Sequence, residues 1–242
     1  MSATPLPSAS QAAAPAASLA PLAAEDFFGP TDMSQPQLSP SGRYLSYLRH
    51  TQNGHNVLVA LDLQDLKLSK ALAGYADADI FNVRWVNDDF LVFSLTDLSA
   101  AAGELDFAPG LYGVSRSEGT PRQLVKLQHD HRIVEGPLRG PDRRLHPNHR
   151  LLFVPQDGSP DVIVAELSRG AGELTVERPL RLNVETLQAH AVDSDAPDNV
   201  NQWLFDANGQ PRVAVTEADG RVRVHWRKSG TQAWQLIQDV ER

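Results

Sequence analysis

The sequence predicts an all-β chain, a partial β-propeller of about four blades of antiparallel strands. Three observations carry that expectation. Short apolar runs of strand period alternate with turn signals from about Phe27 onward. No long stretch of helical period competes with them. A turn-strand-turn-strand unit recurs four times, starting at Ser39, Val86, His146 and Phe205, which are 47, 60 and 59 residues apart.

In chain order, SPSGRYLSYL (Ser39 to Leu48) places a polar turn before a strand, and after the turn QNGH comes HNVLVALDL (His55 to Leu63). LDLQDLKLSKAL (Leu61 to Leu72) fits either a short helix or a strand running into a turn. The second unit is VNDDFLVFSL (Val86 to Leu95), GLYGVSRSEG (Gly110 to Gly119) and the closing PRQLVKL (Pro121 to Leu127). The third is HPNHRLLFVP (His146 to Pro155), the turn QDGSP (Gln156 to Pro160) and PDVIVAELSRG (Pro160 to Gly170). The fourth is FDANGQPRVAV (Phe205 to Val215), the turn ADG, RVRVHWRKSG (Arg221 to Gly230) and AWQLI (Ala233 to Ile237). NVLVALDL and DVIVAEL are nearly continuous apolar runs, as expected of strands covered on both faces. In RVRVHWRK, Val222, Val224 and Trp226 share one face while Arg221, Arg223, His225 and Arg227 share the other, the pattern of a half-buried strand. One such sheet cannot bury both faces alone, and radial stacking at roughly 40 to 50 residues per blade solves that. The longer gaps, around Ala100 to Pro109 and Arg132 to Arg144, are expected loops. A β-sandwich has turns at similar intervals, but the fourfold recurrence favours the propeller.

Composition narrows the function classes. The formal net charge is −8 and the local basic excess is confined to Arg132 to Arg150, so neither a nucleic-acid footprint nor a membrane-surface patch is expected. The chain has no cysteine, which excludes disulfides, thiolate nucleophiles and Cys-ligated zinc. No run approaches the roughly 18 apolar residues of a membrane span. Residues 1–24 (MSATPLPSASQAAAPAASLAPLAA) are uncharged and rich in Ala, Pro and Ser, a disordered tail by composition. They lack the basic n-region and unbroken apolar core of a secretory signal. Localisation is left open by the sequence: a cytoplasmic chain with a disordered tail is expected as written, and a periplasmic or exported one, with this segment as spacer, if an upstream signal has been lost. Residues 25–242 form the propeller domain.

DFFGPTDMSQPQLSPSGRYLSYLR (Asp26 to Arg49) resembles the opening of the N-terminal propeller of prolyl oligopeptidase family serine peptidases, in particular the bacterial dipeptidyl-peptidase and acylaminoacyl-peptidase-like members. WVNDDFLVFS and LYGVSRSEGTPRQLV resemble its second blade, and WLFDANGQPRVAVTEADGRVRVHWR a later one. The resemblance implies a seven-bladed propeller followed by an α/β-hydrolase domain with a Ser, Asp and His triad. It also implies that the propeller admits short peptides to the catalytic serine, and that this chain ends before the ring closes.

The chain departs from that family in lacking a G-x-S-x-G nucleophile elbow. The nearest approach, GVSRS at Gly113 to Ser117, has no closing glycine and lies in an expected hairpin, so Ser115 is not expected to be a nucleophile. His129 and His131 form H-x-H, and His146 with His149 a second pair; with Asp130 or Asp142 they are the metal candidates, against the plainer reading of polar turn residues. His225 reads as a surface imidazole, and Asp88 and Asp89 as turn-capping carboxylates. GAGEL (Gly170 to Leu174) lacks the spacing of a phosphate loop. Arg132, Arg139, Arg143, Arg144 and Arg150 read as a solvated loop, or as a cluster holding carboxylates of a peptide or partner domain. No catalytic, cofactor-binding or metal residue is assigned and no cofactor is expected.

The expected function is therefore the non-catalytic, gating half of such a peptidase, with the hydrolase domain and peptides as partners. Alternatives are a stand-alone propeller-like interaction module and, with less support, a metal enzyme built on the paired histidines. An open ring exposes apolar residues, with Trp234, Leu236 and Ile237 as candidates, and predicts self-association through uncovered blade edges.

Overall fold

The computed structural model describes residues 32–51, 54–96, 109–127, 142–169, 175–193, 195–230 and 233–242. They belong to one compact unit, Asp32–Arg242, distinct from Met1–Thr31. The Ala/Pro/Ser-rich segment 1–24 lies outside the described residues.

Every regular element among the described residues is a strand. The first sheet contains β1 (Met33–Leu38), β2 (Tyr44–His50), β3 (Asn56–Asp62) and β4 (Asp65–Gly74), and the second β5 (Asp79–Trp85), β6 (Phe90–Thr96), β7 (Leu111–Ser115) and β8 (Arg122–Val125). The third contains β9 (His149–Phe153), β10 (Asp161–Arg169), β11 (Thr175–Asn183) and β12 (Ala189–Ala191), and the fourth β13 (Val200–Phe205), β14 (Pro211–Ala218), β15 (Arg221–Trp226) and β16 (Gln235–Glu241). All four are meanders in which each strand pairs antiparallel with the next. The architecture is the expected all-β, partial propeller of four sheets.

Three apolar clusters join consecutive sheets. Leu48, Leu58, Ile80 and Phe93, all buried, lie between the first and second. Val92, Leu124, Val162 and Leu182 lie between the second and third, and Val200, Trp203 and Ala214 with Leu152 between the third and fourth. A fully buried Phe or Leu contributes roughly 1.5–3 kcal/mol, so each sheet owes its stability to the next in line. No such cluster among the described residues joins the fourth sheet to the first.

Polar links reinforce the stack. Between the first two sheets, buried Asn56 donates its side-chain amide to the Ile80 carbonyl (3.0 Å) and accepts from the Ile80 N–H (2.8 Å). Its own N–H donates to Asp79 Oδ1 at 2.9 Å. The turns form as their sequences require. In SPSG the Gly42 N–H donates to the Ser39 carbonyl (2.8 Å), and in DANG Asp206 Oδ1 accepts from the N–H groups of Asn208 (3.0 Å) and Gln210 (2.9 Å).

The structure amends the sequence reading in four places. Leu61 to Leu72 resolves as strand, because β4 pairs along β3 from Asp65 to Gly74 and satisfies its backbone there. The third sheet is offset. In the other three sheets the recurrent turn lies between the first and second strands, whereas HPNH precedes β9, an edge strand among the described residues. Its fourth strand is instead β12, returned at once because Asn183 Oδ1 accepts from the Glu185 (3.1 Å) and Thr186 (2.9 Å) N–H groups. In β15 the alternation holds, but the covered side is the polar one. His225 and Arg223 share a face with buried Ala214 and Thr216, while Val222, Val224 and Trp226 point away from the third sheet. Finally, Trp234 is packed, with its ring 6.0 Å from that of Trp203 and its N–H donating to Asp193 at 3.2 Å. Leu236 and Ile237 are exposed.

Candidate functional site

The first strands of three successive sheets meet at a groove. β1, β5 and β9 are edge strands of their sheets, and together with the residues that follow them they line a cavity of about 840 Å³. β1 and β5 carry the same irregularity. Pairing shifts between Ser34 and Gln37 in β1 and between Phe81 and Arg84 in β5, and Gln35 (φ 50°) and Asn82 (φ 52°) take the left-handed conformation inside those bulges. A bulge bends the strand and re-aims the residue after it. Pro36 is compatible with β1 because an edge strand has no ladder partner on one side.

The bulges clamp the two strands together. Gln37 donates its side-chain amide to the Val83 carbonyl at 2.8 Å, and Trp85 donates its indole N–H to the Gln37 carbonyl at 3.1 Å. The Trp85 ring stacks on Tyr44 at 6.4 Å. Between these groups Arg84 is exposed to the groove. Its Nη1 donates to the Val83 carbonyl (2.8 Å), and among the described residues no carboxylate pairs with it. Other arginines are neutralised: Arg181 by Asp157 and Asp161, Arg212 by Asp206, and buried Arg227 by Asp193 at 3.0 Å. The groove thus presents one uncompensated guanidinium, the amides of Gln37, Asn82 and Gln156, and apolar walls from Trp85, Leu151 and Phe153. That set is fit for recognition and contains no nucleophile-base pair.

The residues singled out from sequence lie elsewhere. Ser115 is buried and its hydroxyl donates to Asp89 Oδ2 at 2.8 Å, with Ser117 at 2.8 Å on its other side. Asp88 accepts from the Ser41 N–H at 3.0 Å, so both carboxylates of the pair organise turns. His129, His131, Asp130, Arg132 and Arg139 lie outside the described residues. His149 Nδ1 donates to the His146 carbonyl at 3.0 Å, and burial pushes this imidazole below its usual range. Asp142 is held well below the usual carboxylate range, first by the Arg144 guanidinium, then by Lys126. Arg144 also donates to Gln123 Oε1 at 2.6 Å, and Arg150 pairs with Glu177. These arginines serve contacts within the chain. His225 Nε2 lies 3.4 Å from the Thr216 hydroxyl, half-buried between sheets. GAGEL likewise lies outside the described residues.

Sequence reasoning missed the groove. The signal present was a break in alternation, the Pro in MSQPQL and the Asn in DIFNVRW, which marks bulged edge strands without saying that they converge.

No protein-family model and no curated protein matches the sequence. Solved structures do match the fold. Dipeptidyl peptidase 4 of Porphyromonas gingivalis aligns with TM-score 0.52 and 13% identity over 85% of this chain and 32% of its own. A prolyl endopeptidase aligns with TM-score 0.50 and 12% identity over 87% of this chain and 30% of its own. The chain therefore spans about a third of each of these enzymes. At such identity the likeness is one of fold, and it places the four sheets among propeller-like structures.

Proposed function

We propose that these sheets are propeller blades of a prolyl oligopeptidase-type serine peptidase, and that they screen peptides on the way to an α/β-hydrolase domain. The observation that carries this is the run of four antiparallel meanders stacked in chain order, a fold shared with dipeptidyl peptidase 4 of P. gingivalis over 85% of this chain. A rigid stack of this kind contributes by excluding bulk water and folded proteins from a buried site. It supplies no bond chemistry of its own.

The test begins with the coding region beyond the Arg242 codon. An in-frame hydrolase domain with G-x-S-x-G, in a protein that cleaves short proline-containing peptides and spares the same sequence in a folded protein, supports the reading. A stop codon at that point, or equal cleavage of both substrates, overturns it. The outer face of the fourth sheet, exposed among the described residues at Leu204, Trp226 and Val240, favours a second reading, a propeller-like interaction module whose partner covers that face.

A further inference from the structure

We propose that the groove between β1, β5 and β9 is a binding site for a short peptide bearing a carboxylate, with Arg84 as the carboxylate-binding residue. The inference takes the nature of the ligand from the reading above; the site itself rests on the geometry. Four observations converge on it.

The first is charge. Among the described residues, Arg84 is exposed in the groove with no ion-pair partner, and its one side-chain hydrogen bond, to the Val83 carbonyl at 2.8 Å, leaves most of its five donors open. A guanidinium presents donors in a fork that matches a carboxylate bidentately.

The second is construction. Arg84 follows a bulge whose Asn82 takes φ 52°, a conformation that costs a non-glycine residue roughly 1–3 kcal/mol. The same device recurs in β1 at Gln35, φ 50°. Both bulges are locked by the reciprocal Gln37–Val83 and Trp85–Gln37 hydrogen bonds, so the guanidinium is carried on a fixed frame.

The third is size. About 840 Å³ lies within the range of pockets that enclose drug-sized molecules, enough for a peptide of a few residues.

The fourth is lining. Trp85, Leu151 and Phe153 offer apolar contact, while Gln37, Asn82 and Gln156 offer amide groups to a peptide backbone. A small inorganic anion would leave those walls unused.

The experiment uses the 242-residue chain and three fluorescein-labelled tetrapeptides followed by anisotropy. They are Ala-Pro-Ala-Leu with a free C-terminus, its C-terminal amide, and the amide of Ala-Pro-Ala-Glu. The free acid is expected to bind about tenfold more tightly than its amide. Arg84→Gln should erase that difference, Arg84→Lys should restore part of it, and Arg169→Gln, a charge control outside the groove, should leave it intact. Binding of the Glu amide as tight as that of the free acid would name a side-chain carboxylate as the source and still support the site. Equal affinity for all three peptides, no binding up to about 1 mM, or an unchanged preference in a folded Arg84→Gln variant overturns the inference. Because the measurement needs no hydrolase domain, carboxylate-selective binding together with a coding region that holds no in-frame hydrolase domain would sink the peptidase reading and leave the site standing.

Discussion

The indole N–H of Trp203, in β13, donates to the main-chain carbonyl of Glu177, in β11, at 2.9 Å. This bond crosses from the fourth sheet to the third, and Trp203 is 6% exposed. Trp85 makes the equivalent reach from β5 to Gln37 of β1. A tryptophan that buries its ring between two sheets and spends its one donor on the preceding sheet fixes both spacing and register, because the ring fills the gap while the bond forbids sliding.

Trp203→Phe keeps an aromatic ring and removes the donor. The Glu177 carbonyl is left without that partner, and a loss of about 1–3 kcal/mol is expected. Trp226→Phe, on the exposed face, should stay within about 0.5 kcal/mol of the parent. Urea unfolding measures both; equal stability of the two variants would show that the inter-sheet bond contributes nothing.

Gly209 closes the turn that presses the fourth sheet onto the third. Its φ is +78°, and a Cβ there would sit 2.9 Å from both Ile163 Cδ1 and Pro155 Cγ. Gly158 has a similar φ of +75° with open space around it. Gly209→Ala therefore combines backbone strain with overpacking and should cost about 1–3 kcal/mol more than Gly158→Ala, which has strain alone. Thermal melts of the two variants give the difference directly, and equal losses would remove the packing argument.

Burial pushes the imidazoles of His149 and His225 below their usual value of 6.5. The folded chain then binds protons at these sites less readily than the unfolded chain. Their stabilising contribution is complete above about pH 6.5 and is lost as the pH falls through the depressed native values. The melting temperature should drop as the pH falls below about 6.5, and the double variant His149→Gln, His225→Gln should flatten that part of the profile. An unaltered slope in the double variant would refute the assignment.

Ser115 donates to Asp89 and has no imidazole partner among the described residues, so its hydroxyl lacks an activating base. The chain should not react with a fluorophosphonate probe. Stoichiometric labelling abolished by Ser115→Ala would overturn this.

The outer face of the fourth sheet carries Leu204 (55% exposed), Trp226 (37%) and Val240 (41%) beside Val213, Val215, Val222 and Val224. An apolar sheet face of this kind seeks cover. We expect the chain to self-associate through it, with apparent mass rising with concentration in light scattering. Val222→Lys with Val224→Lys should reduce the effect. A monomer at every concentration would count against it.

The recurrent turns and the strands that follow them were legible in the residues alone, whereas β1, β5, β11, β12 and β13 were not picked out. SPSG, NDD and DANG specify local backbone geometry through Ser, Asn, Asp and Gly, and a short apolar run such as FLVFSL, directly after a turn signal and rich in aromatic and branched residues, has the length of a strand and not of a helix. The absent nucleophile elbow and the alternation in β15 are equally properties of the one-dimensional text. What the tertiary structure decided is which side of each alternating strand is covered. The alternation in β15 divided Val222, Val224 and Trp226 from the polar residues without saying which face is covered; the third sheet covers the side bearing Ala214 and Thr216, where small Ala214 lies across from Trp203, whose indole donates to the Glu177 carbonyl of the third sheet. It also decided the offset of the third sheet, set by the tight return at Asn183, and the convergence of β1, β5 and β9. Arg84 reads in sequence as one more polar residue in a strand. Its lack of a carboxylate partner among the described residues depends on which side chains two other sheets bring within reach, and no local pattern encodes that.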